Sequence, residues 1–229
     1  VMRLFLLTTA AMVAFAANSV LNRAGVGTGR IDAASFAVVR LAAGAAMLAL
    51  LVLWRRIVIG RSVWPGWRGR LVGAASLLLY LFGFSLAYGG LATGTGALIL
   101  FGMVQITMFA GALATGERVP ARRWLGAGAA FVGLAYLLVP GSTATPDVRH
   151  VAMMAAAGFG WGLYSLAAKG TRDPLGVTAW NFLLALPAAL AIVAVLPSAG
   201  VSTSARGVIL AVISGAATSG LGYALWYHV

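Results

Sequence analysis

The sequence predicts an all-α integral membrane protein, and three observations lead to this prediction. The 229 residues are 62% hydrophobic and 9% charged, whereas soluble domains are about half apolar and about a quarter charged. Stretches such as Leu41–Leu53 lack the polar–apolar alternation of barrel strands. Eight apolar segments approach the length of about 20 residues with which a helix crosses a bilayer. They are residues 4–21, 33–53, 71–91, 95–114, 124–139, 151–168, 177–196 and 207–229.

The order of these segments leaves no room for a soluble domain. The first segment, 4–21, begins like a signal peptide, but its apolar run is long and seven further segments follow, which favours a retained span. The longest connection, Trp54–Arg70, has 17 residues. A turn at Ala92–Gly94 joins the third and fourth segments. Pro187 predicts a kink in the seventh, because proline removes a backbone hydrogen bond.

Basic residues are distributed unequally between the two sides of the predicted bundle. Of the 16 lysines and arginines, eleven lie at the N-terminus or in the connections after the second, fourth and sixth segments. Four lie on the other side, and Arg40 lies inside a segment. Because basic residues accumulate in cytoplasmic loops, the N-terminus is predicted to be cytoplasmic. This topology also accounts for the net charge of +12, and we predict no nucleic-acid partner.

Two stretches of the first half recur in the second half. Ser19–Arg23 is similar to Ser165–Lys169 at an offset of 146, and Gly83–Tyr88 is similar to Gly222–Tyr227 at an offset of 139. The first three segments thus correspond to the last three. Five segments separate each pair, and an odd number reverses the direction across the membrane. The sequence therefore predicts an inverted-topology repeat.

The whole chain resembles the EamA-type carriers of the drug/metabolite transporter superfamily. The clearest resemblance is over Tyr88–Gly141, where Thr95–Leu98 opens the fourth segment, Gly116–Arg118 follows it, and Trp124–Gly126 begins the fifth. Four further matches are Asn18–Arg23, Arg40, Gly158–Tyr164 and Gly220–Tyr227.

This resemblance implies ten helices in two inverted five-helix repeats, located in the cell inner membrane. Residues 1–141 would form the first repeat, and residues 142–229 the first three helices of the second. In the first repeat the last two segments occupy Thr95–Val139. We therefore expect roughly 45 to 70 further residues after Val229 in a ten-helix protein. We also expect that these 229 residues do not transport unless another chain supplies the remaining helices.

Side chains suited to catalysis are scarce. There is no cysteine, there are two histidines, and the four acidic residues lie in connections or at segment ends. Glycine clusters such as Gly25–Gly29 do not lie in strand–helix units, so they are not nucleotide-binding motifs. We predict no enzymatic activity, no cofactor and no metal site.

Arg40 is the one charged residue well inside a predicted segment. Two interpretations follow from its depth, since a charge in the bilayer is costly and needs partners. Arg40 could bind a carboxylate of a substrate, or it could be tied to backbone carbonyls or to Asn18 and Asn22 of the first segment. Glu117 likewise allows either proton coupling or an ion pair in the connection after the fourth segment.

Polar side chains at mid-segment depth complete the candidate site. Amides in hydrocarbon need partners, which are either neighbouring helices or a substrate. Aromatic rings with polar tips favour a cavity for a zwitterionic or aromatic metabolite. The predicted substrate-binding residues are Asn18, Arg40, Tyr80, Gln105, Trp161, Tyr164 and Tyr223.

Together these features predict a membrane transporter that exports amino acids or related small metabolites by alternating access. The direction of transport is implied by the resemblance. The predicted partners are a small-molecule substrate and the lipid bilayer. The alternative is a non-transporting membrane subunit or helix scaffold, in which the polar side chains only hold helices together.

Overall fold

The computed structural model describes residues 2–60, 66–117, 119–138, 146–195 and 203–226, which form eight helices and contain no strand. Each of the eight segments predicted from the sequence corresponds to a helix, but the third, 71–91, ends early: its helix stops at Ala87, Tyr88–Leu91 form a turn, and the next helix already begins at Thr93. The helices are α1 (Met2–Gly25), α2 (Ala33–Ile59), α3 (Arg70–Ala87), α4 (Thr93–Ala114), α5 (Ala121–Leu138), α6 (Val148–Ala168), α7 (Pro174–Val195) and α8 (Ala205–Trp226).

Seven of these helices, all except α5, are long and apolar enough to cross a membrane. Helix α5 is less apolar, since its first turn contains Arg122 and Arg123. The chain is therefore an all-α, multi-pass membrane protein, as the composition predicts.

Helix α2 extends beyond its predicted end at Leu53 because the apolar segment is not the whole helix. Asp32 caps its start, where the carboxylate accepts a hydrogen bond from the backbone N–H of Ser35. Its last turn contains Arg56, and Gly60 ends it in the left-handed conformation with φ of 69°. Long basic side chains reach the membrane surface from within a helix end, so the helix continues past the apolar run.

The core lies among α2, α3, α6 and α7. Helix α3 packs against α6 and α7, α2 packs against α7 and α8, and α1 packs against α8. Two glycines allow α6 to lie close to two neighbours. A Cβ atom on Gly160 would lie 2.8 Å from the backbone oxygen of Ser76 in α3, and one on Gly158 would lie 2.7 Å from that of Leu100 in α4. Small residues at such contacts are typical of membrane helices.

The outer surface is apolar. In the most apolar stretch of 18 residues of α1, only 17% of the residues are buried, and Phe5, Leu6 and Val13 are exposed. A soluble protein rarely exposes such a continuous apolar face. On a helix that crosses a membrane, the same face lies against lipid chains.

If successive helices cross the membrane in opposite directions, the ends of α2, α4 and α6 lie on the same side of the bundle. Polar contacts join these ends. On the predicted cytoplasmic side, Arg55 at the end of α2 binds Asp173 before α7 through two hydrogen bonds of 2.8 and 2.5 Å. On the same side, Lys169 after α6 forms an ion pair with Glu117 after α4. The ion-pair interpretation of Glu117 is thus realised, with its partner in the connection between α6 and α7.

The opposite side has its own contacts. The Nη1 atom of Arg23 donates to the carbonyl oxygens of Tyr88 and Gly89 in the connection between α3 and α4. The hydroxyl of Ser204, before α8, donates to the carbonyl oxygen of Arg30 at 2.8 Å. Both sides of the bundle are therefore joined by hydrogen bonds between connections.

Candidate functional site

A buried polar cluster lies where α1, α2, α3 and α8 meet. We call it the Arg40 cluster, and it consists of Asn18, Arg40, Tyr80, Ser214 and Ser219. All five residues are at most 5% exposed. Arg40 donates from Nη2 to the Tyr80 hydroxyl at 2.7 Å and from Nε to the Ser219 hydroxyl at 3.3 Å. Asn18 donates to the same Tyr80 hydroxyl at 3.2 Å and accepts from Ser214 at 2.5 Å.

Two aromatic rings lie beside the Arg40 guanidinium. Its central carbon lies 5.0 Å from the ring centroid of Tyr80 and 5.0 Å from that of Phe84. These distances are within the range of cation–π attraction. Within the described part of the chain, the Nη1 atom of Arg40 is buried and has no hydrogen-bond partner.

The two serines of the cluster depend on a change of helix type. Residues Ser214–Leu221 of α8 form a π-helix. In an α-helix with about 3.6 residues per turn, positions five apart lie roughly 140° apart around the axis. The π-helix pairs residues five apart, so Ser214 and Ser219 lie on one face. Sequence reasoning missed both serines because it assumed α-helical spacing, and the glycines of this stretch were the available signal.

A series of aromatic contacts continues from the Arg40 cluster into the second half. The Trp161 ring stacks on Tyr80 at 5.5 Å with an interplanar angle of 23°. Phe15 contacts Trp161 at 5.6 Å and Tyr223 at 5.9 Å, and Tyr223 contacts Tyr164 at 6.0 Å. Six of the seven predicted site residues thus belong to one connected network.

Gln105, the seventh, lies outside this network. Its side chain is exposed on α4, a helix that packs against α6 and α5. Its assignment to the substrate site stays a prediction.

A second buried polar group lies at the start of α3. Arg70 is 3% exposed, and its Nη1 atom donates to the carbonyl oxygen of Val177 and to Oδ1 of Asn181, both in α7. The Tyr164 hydroxyl donates to the Thr178 hydroxyl at 2.9 Å nearby. The sequence had placed Arg70 in a connection, which is wrong. It is the first residue of α3 and packs into the bundle. We call Arg70, Thr178 and Asn181 the Arg70 cluster.

The predicted structural ties of Arg40 are also different from those observed. Arg40 bonds to Tyr80 and Ser219, and none of its hydrogen bonds goes to Asn18 or Asn22. Asn22 instead donates to the Ser85 hydroxyl at 3.0 Å. The amides therefore connect α1 to α3.

The chemistry of the Arg40 cluster is that of one cation among neutral hydroxyl and amide groups. In the described ranges, no group of three histidine or acidic side chains could hold a metal ion. Guanidinium and hydroxyl donors suit the binding of an oxygen-rich or anionic group.

Comparisons with known proteins identify a relative of this chain. No family model matches it, and no solved structure matches it. It is 46% identical over 229 residues to the Uncharacterized protein PA1977 of Pseudomonas aeruginosa, in an alignment that covers 98% of this chain and 76% of that protein. The chain belongs to the same family as this Pseudomonas protein.

Proposed function

We propose that the protein is an EamA-type carrier of small organic solutes, and that the Arg40 cluster and its neighbouring rings form the substrate site. The observation that carries the proposal is a buried polar cluster to which α1, α2, α3 and α8 all contribute. Carriers of this general type bind substrate near the midplane, between repeats. Arg40 lies seven residues into α2, or about 10 Å from its end at about 1.5 Å per residue.

The packing of the helices supports a repeat in which α1, α2 and α3 correspond to α6, α7 and α8. Helix α3 packs on α6 and α7, and its counterpart α8 packs on α1 and α2. Helices α2 and α7, which are counterparts of each other, also pack together. Each half thus places its third helix on the other half. This exchange favours two inverted repeats within a ten-helix architecture.

The proposed mechanism is alternating access, which the contacts at the two sides of the bundle support. The Arg55–Asp173 and Lys169–Glu117 ion pairs join connections on one side. Arg23 and Ser204 join connections on the other. Breaking one set while the other remains would open the cluster to one side at a time. The excess of basic residues assigns the first side to the cytoplasm, and export through the inner membrane is the direction that the family resemblance implies.

A helix scaffold that transports nothing is the second candidate. The hydrogen bonds Asn22–Ser85 and Tyr164–Thr178 favour it, because they satisfy buried polar groups without any substrate.

Flux measurements in proteoliposomes separate the two candidates. The natural full-length protein is purified and reconstituted, and the efflux of labelled amino acids and related organic acids is compared with that from protein-free vesicles. We expect saturable flux of at least one solute, competed by its unlabelled form. Absence of flux across the panel, with protein that remains folded by size-exclusion chromatography, would favour the scaffold.

A further inference from the structure

Arg40 is a buried cation without an acidic partner. All four acidic residues of the sequence lie in the described ranges, and each is engaged at a helix end. Asp32 and Asp147 cap α2 and α6, Glu117 pairs with Lys169, and Asp173 pairs with Arg55. The hydrogen-bond acceptors of Arg40 are neutral hydroxyls. A buried charge that lacks a counter-ion is costly, and so it attracts an anion strongly.

The surroundings of the guanidinium restrict how an anion could approach it. Tyr80 and Phe84 lie over it at 5.0 Å each, so an anion would have to bind at its edge and not at its faces. At that edge Nη1 has two N–H groups and no acceptor among the described residues. The Tyr80 oxygen accepts hydrogen bonds from both Asn18 and Arg40, which leaves its own O–H proton for a further acceptor.

We propose that the Arg40 cluster binds the carboxylate group of an organic substrate, one oxygen at Arg40 Nη1 and the other at the Tyr80 hydroxyl. This inference rests on the proposed carrier function and names the substrate class for the same site. One carboxylate balances the single positive charge of Arg40, whereas a phosphate dianion would leave a buried negative charge. The two oxygens of a carboxylate can also accept from two separate donors at once, here Nη1 and the Tyr80 hydroxyl.

The rest of the substrate lies against aromatic rings. Trp161 stacks on Tyr80 and contacts Phe15 and Phe101 at 5.6 Å each. These contacts form a series of rings that begins at Tyr80, whose hydroxyl would bind one carboxylate oxygen. Ring and alkyl parts of an organic acid gain free energy by burial against such surfaces.

Equilibrium binding to the purified protein tests the proposal without any transport. The probes are 3-phenylpropanoate and L-phenylalanine, each compared with its neutralised partner, 3-phenylpropanamide and L-phenylalaninamide. Sodium chloride is the spherical-anion probe. Binding is measured by isothermal titration calorimetry and by the shift of the thermal unfolding temperature. We expect at least one carboxylate to bind about 10-fold or more tightly than its amide, because hydrogen bonds to charged groups are strong.

Four variants assign the binding to the cluster. Arg40→Gln keeps a hydrogen-bonding side chain but removes the charge, and it should weaken carboxylate binding about 10- to 100-fold. Arg40→Lys should restore part of the affinity, and Tyr80→Phe should lower it with the charge intact. Arg68→Gln is the matched control, since Arg68 is exposed in the connection between α2 and α3, and the affinity of this variant for carboxylates should equal that of the wild type.

Several results would overturn the proposal. These are equal affinity for a carboxylate and its amide, no binding of either carboxylate, or unchanged carboxylate affinity in the Arg40→Gln protein. A rise of the thermal unfolding temperature with chloride equal to that with a carboxylate would also overturn it. If Arg40→Gln does not fold, Tyr80→Phe and Arg40→Lys decide the matter. Carboxylate binding without flux would support the anion site and reject the carrier, whereas flux of neutral solutes without carboxylate binding would do the reverse.

Discussion

The two buried arginines of this protein have similar exposure but different partners. Arg40 is 1% exposed and Arg70 is 3% exposed. Arg40 donates to the hydroxyls of Tyr80 and Ser219, whereas Arg70 donates to the carbonyl oxygen of Val177 and the amide oxygen of Asn181. Hydroxyl groups rotate and both donate and accept, while carbonyl oxygens only accept.

This difference separates a site that can exchange partners from one that holds helices together. A ligand oxygen can join the hydroxyls around Arg40 without leaving them unsatisfied. Without Arg70, the buried amide oxygen of Asn181 would lose its charged donor. Among the described residues, the buried donors without a hydrogen-bond partner also differ: in Arg40 it is the terminal Nη1, and in Arg70 the internal Nε. We infer that Arg40 binds a ligand, whereas Arg70 holds α3 against α7.

The largest expected effect comes from exchanging each arginine for methionine. Arg70→Met leaves the buried amide oxygen of Asn181 without its charged donor, and we expect the free energy of unfolding to fall by about 3 kcal/mol. Arg40→Met also loses hydrogen bonds, but it removes a buried charge without a counter-ion, so the loss should be below about 1 kcal/mol. Urea or thermal unfolding in detergent micelles measures both. A larger loss in Arg40→Met would reverse the comparison.

Close packing beside the Arg40 cluster gives the next largest effect. A Cβ atom on Gly160 would lie 2.9 Å from the backbone nitrogen of Tyr80. Backbone atoms cannot move aside as flexible side chains do, so Gly160→Ala should cost about 2 kcal/mol and shift Tyr80. Gly128→Ala in α5 is the matched control, because a Cβ there has no atom within 4 Å. Equal stability of the two variants would show that α6 and α3 can separate freely.

The sequence predicted the helices well because their signal is the apolar run itself. Boundaries differ by a few residues where charged side chains continue a helix, as Arg55 and Arg56 do in α2. Arg40 and Asn18 were found because polar groups inside apolar segments require partners. Their specific partners depend on three-dimensional packing and could not be found in this way.

The structure adds information where a position along a helix does not determine the face on which a side chain lies. Gln105 was chosen for its depth in α4, but its side chain is exposed, whereas Thr107, two residues further, is buried. Arg70 lies at a helix end, and its burial depends on α7. Ser214 and Ser219 share a face only because α8 is π-helical there.

A smaller effect is expected at the hydroxyl beside the Arg70 cluster. Tyr164→Phe removes the donor to Thr178 but keeps the ring against Tyr223. One lost hydrogen bond in a buried position should cost about 1 kcal/mol. Tyr136→Phe in α5 is the control, since Tyr136 is 79% exposed. If carboxylate affinity at Arg40 falls as much in Tyr164→Phe as in Tyr80→Phe, the two clusters are one functional unit and the separation drawn above is wrong.

The smallest effect concerns the ion pair that fixes the start of α7, and with it the partners of Arg70. Hydrogen bonding from Arg55 lowers the pKa of the Asp173 carboxyl below its ordinary value of 3.8. A carboxyl with a lowered folded-state pKa stabilises the protein at pH above its ordinary pKa. This contribution disappears as the pH falls through the lowered value. Asp173→Asn should therefore reduce the free energy of unfolding by about 0.5–1 kcal/mol at neutral pH, and the difference from the wild type should shrink below pH 3.8.

Asparagine also caps helices, so Asp32→Asn, which keeps the cap of α2, is the control that isolates the ion pair. Thermal unfolding across this pH range measures both variants, with carboxylate binding followed in parallel. Because Asp173 lies on the Arg70 side, stability should change while carboxylate affinity does not. A variant as stable as the wild type at neutral pH would show that the ion pair contributes nothing, and a change in affinity would show that the start of α7 positions Arg40 as well.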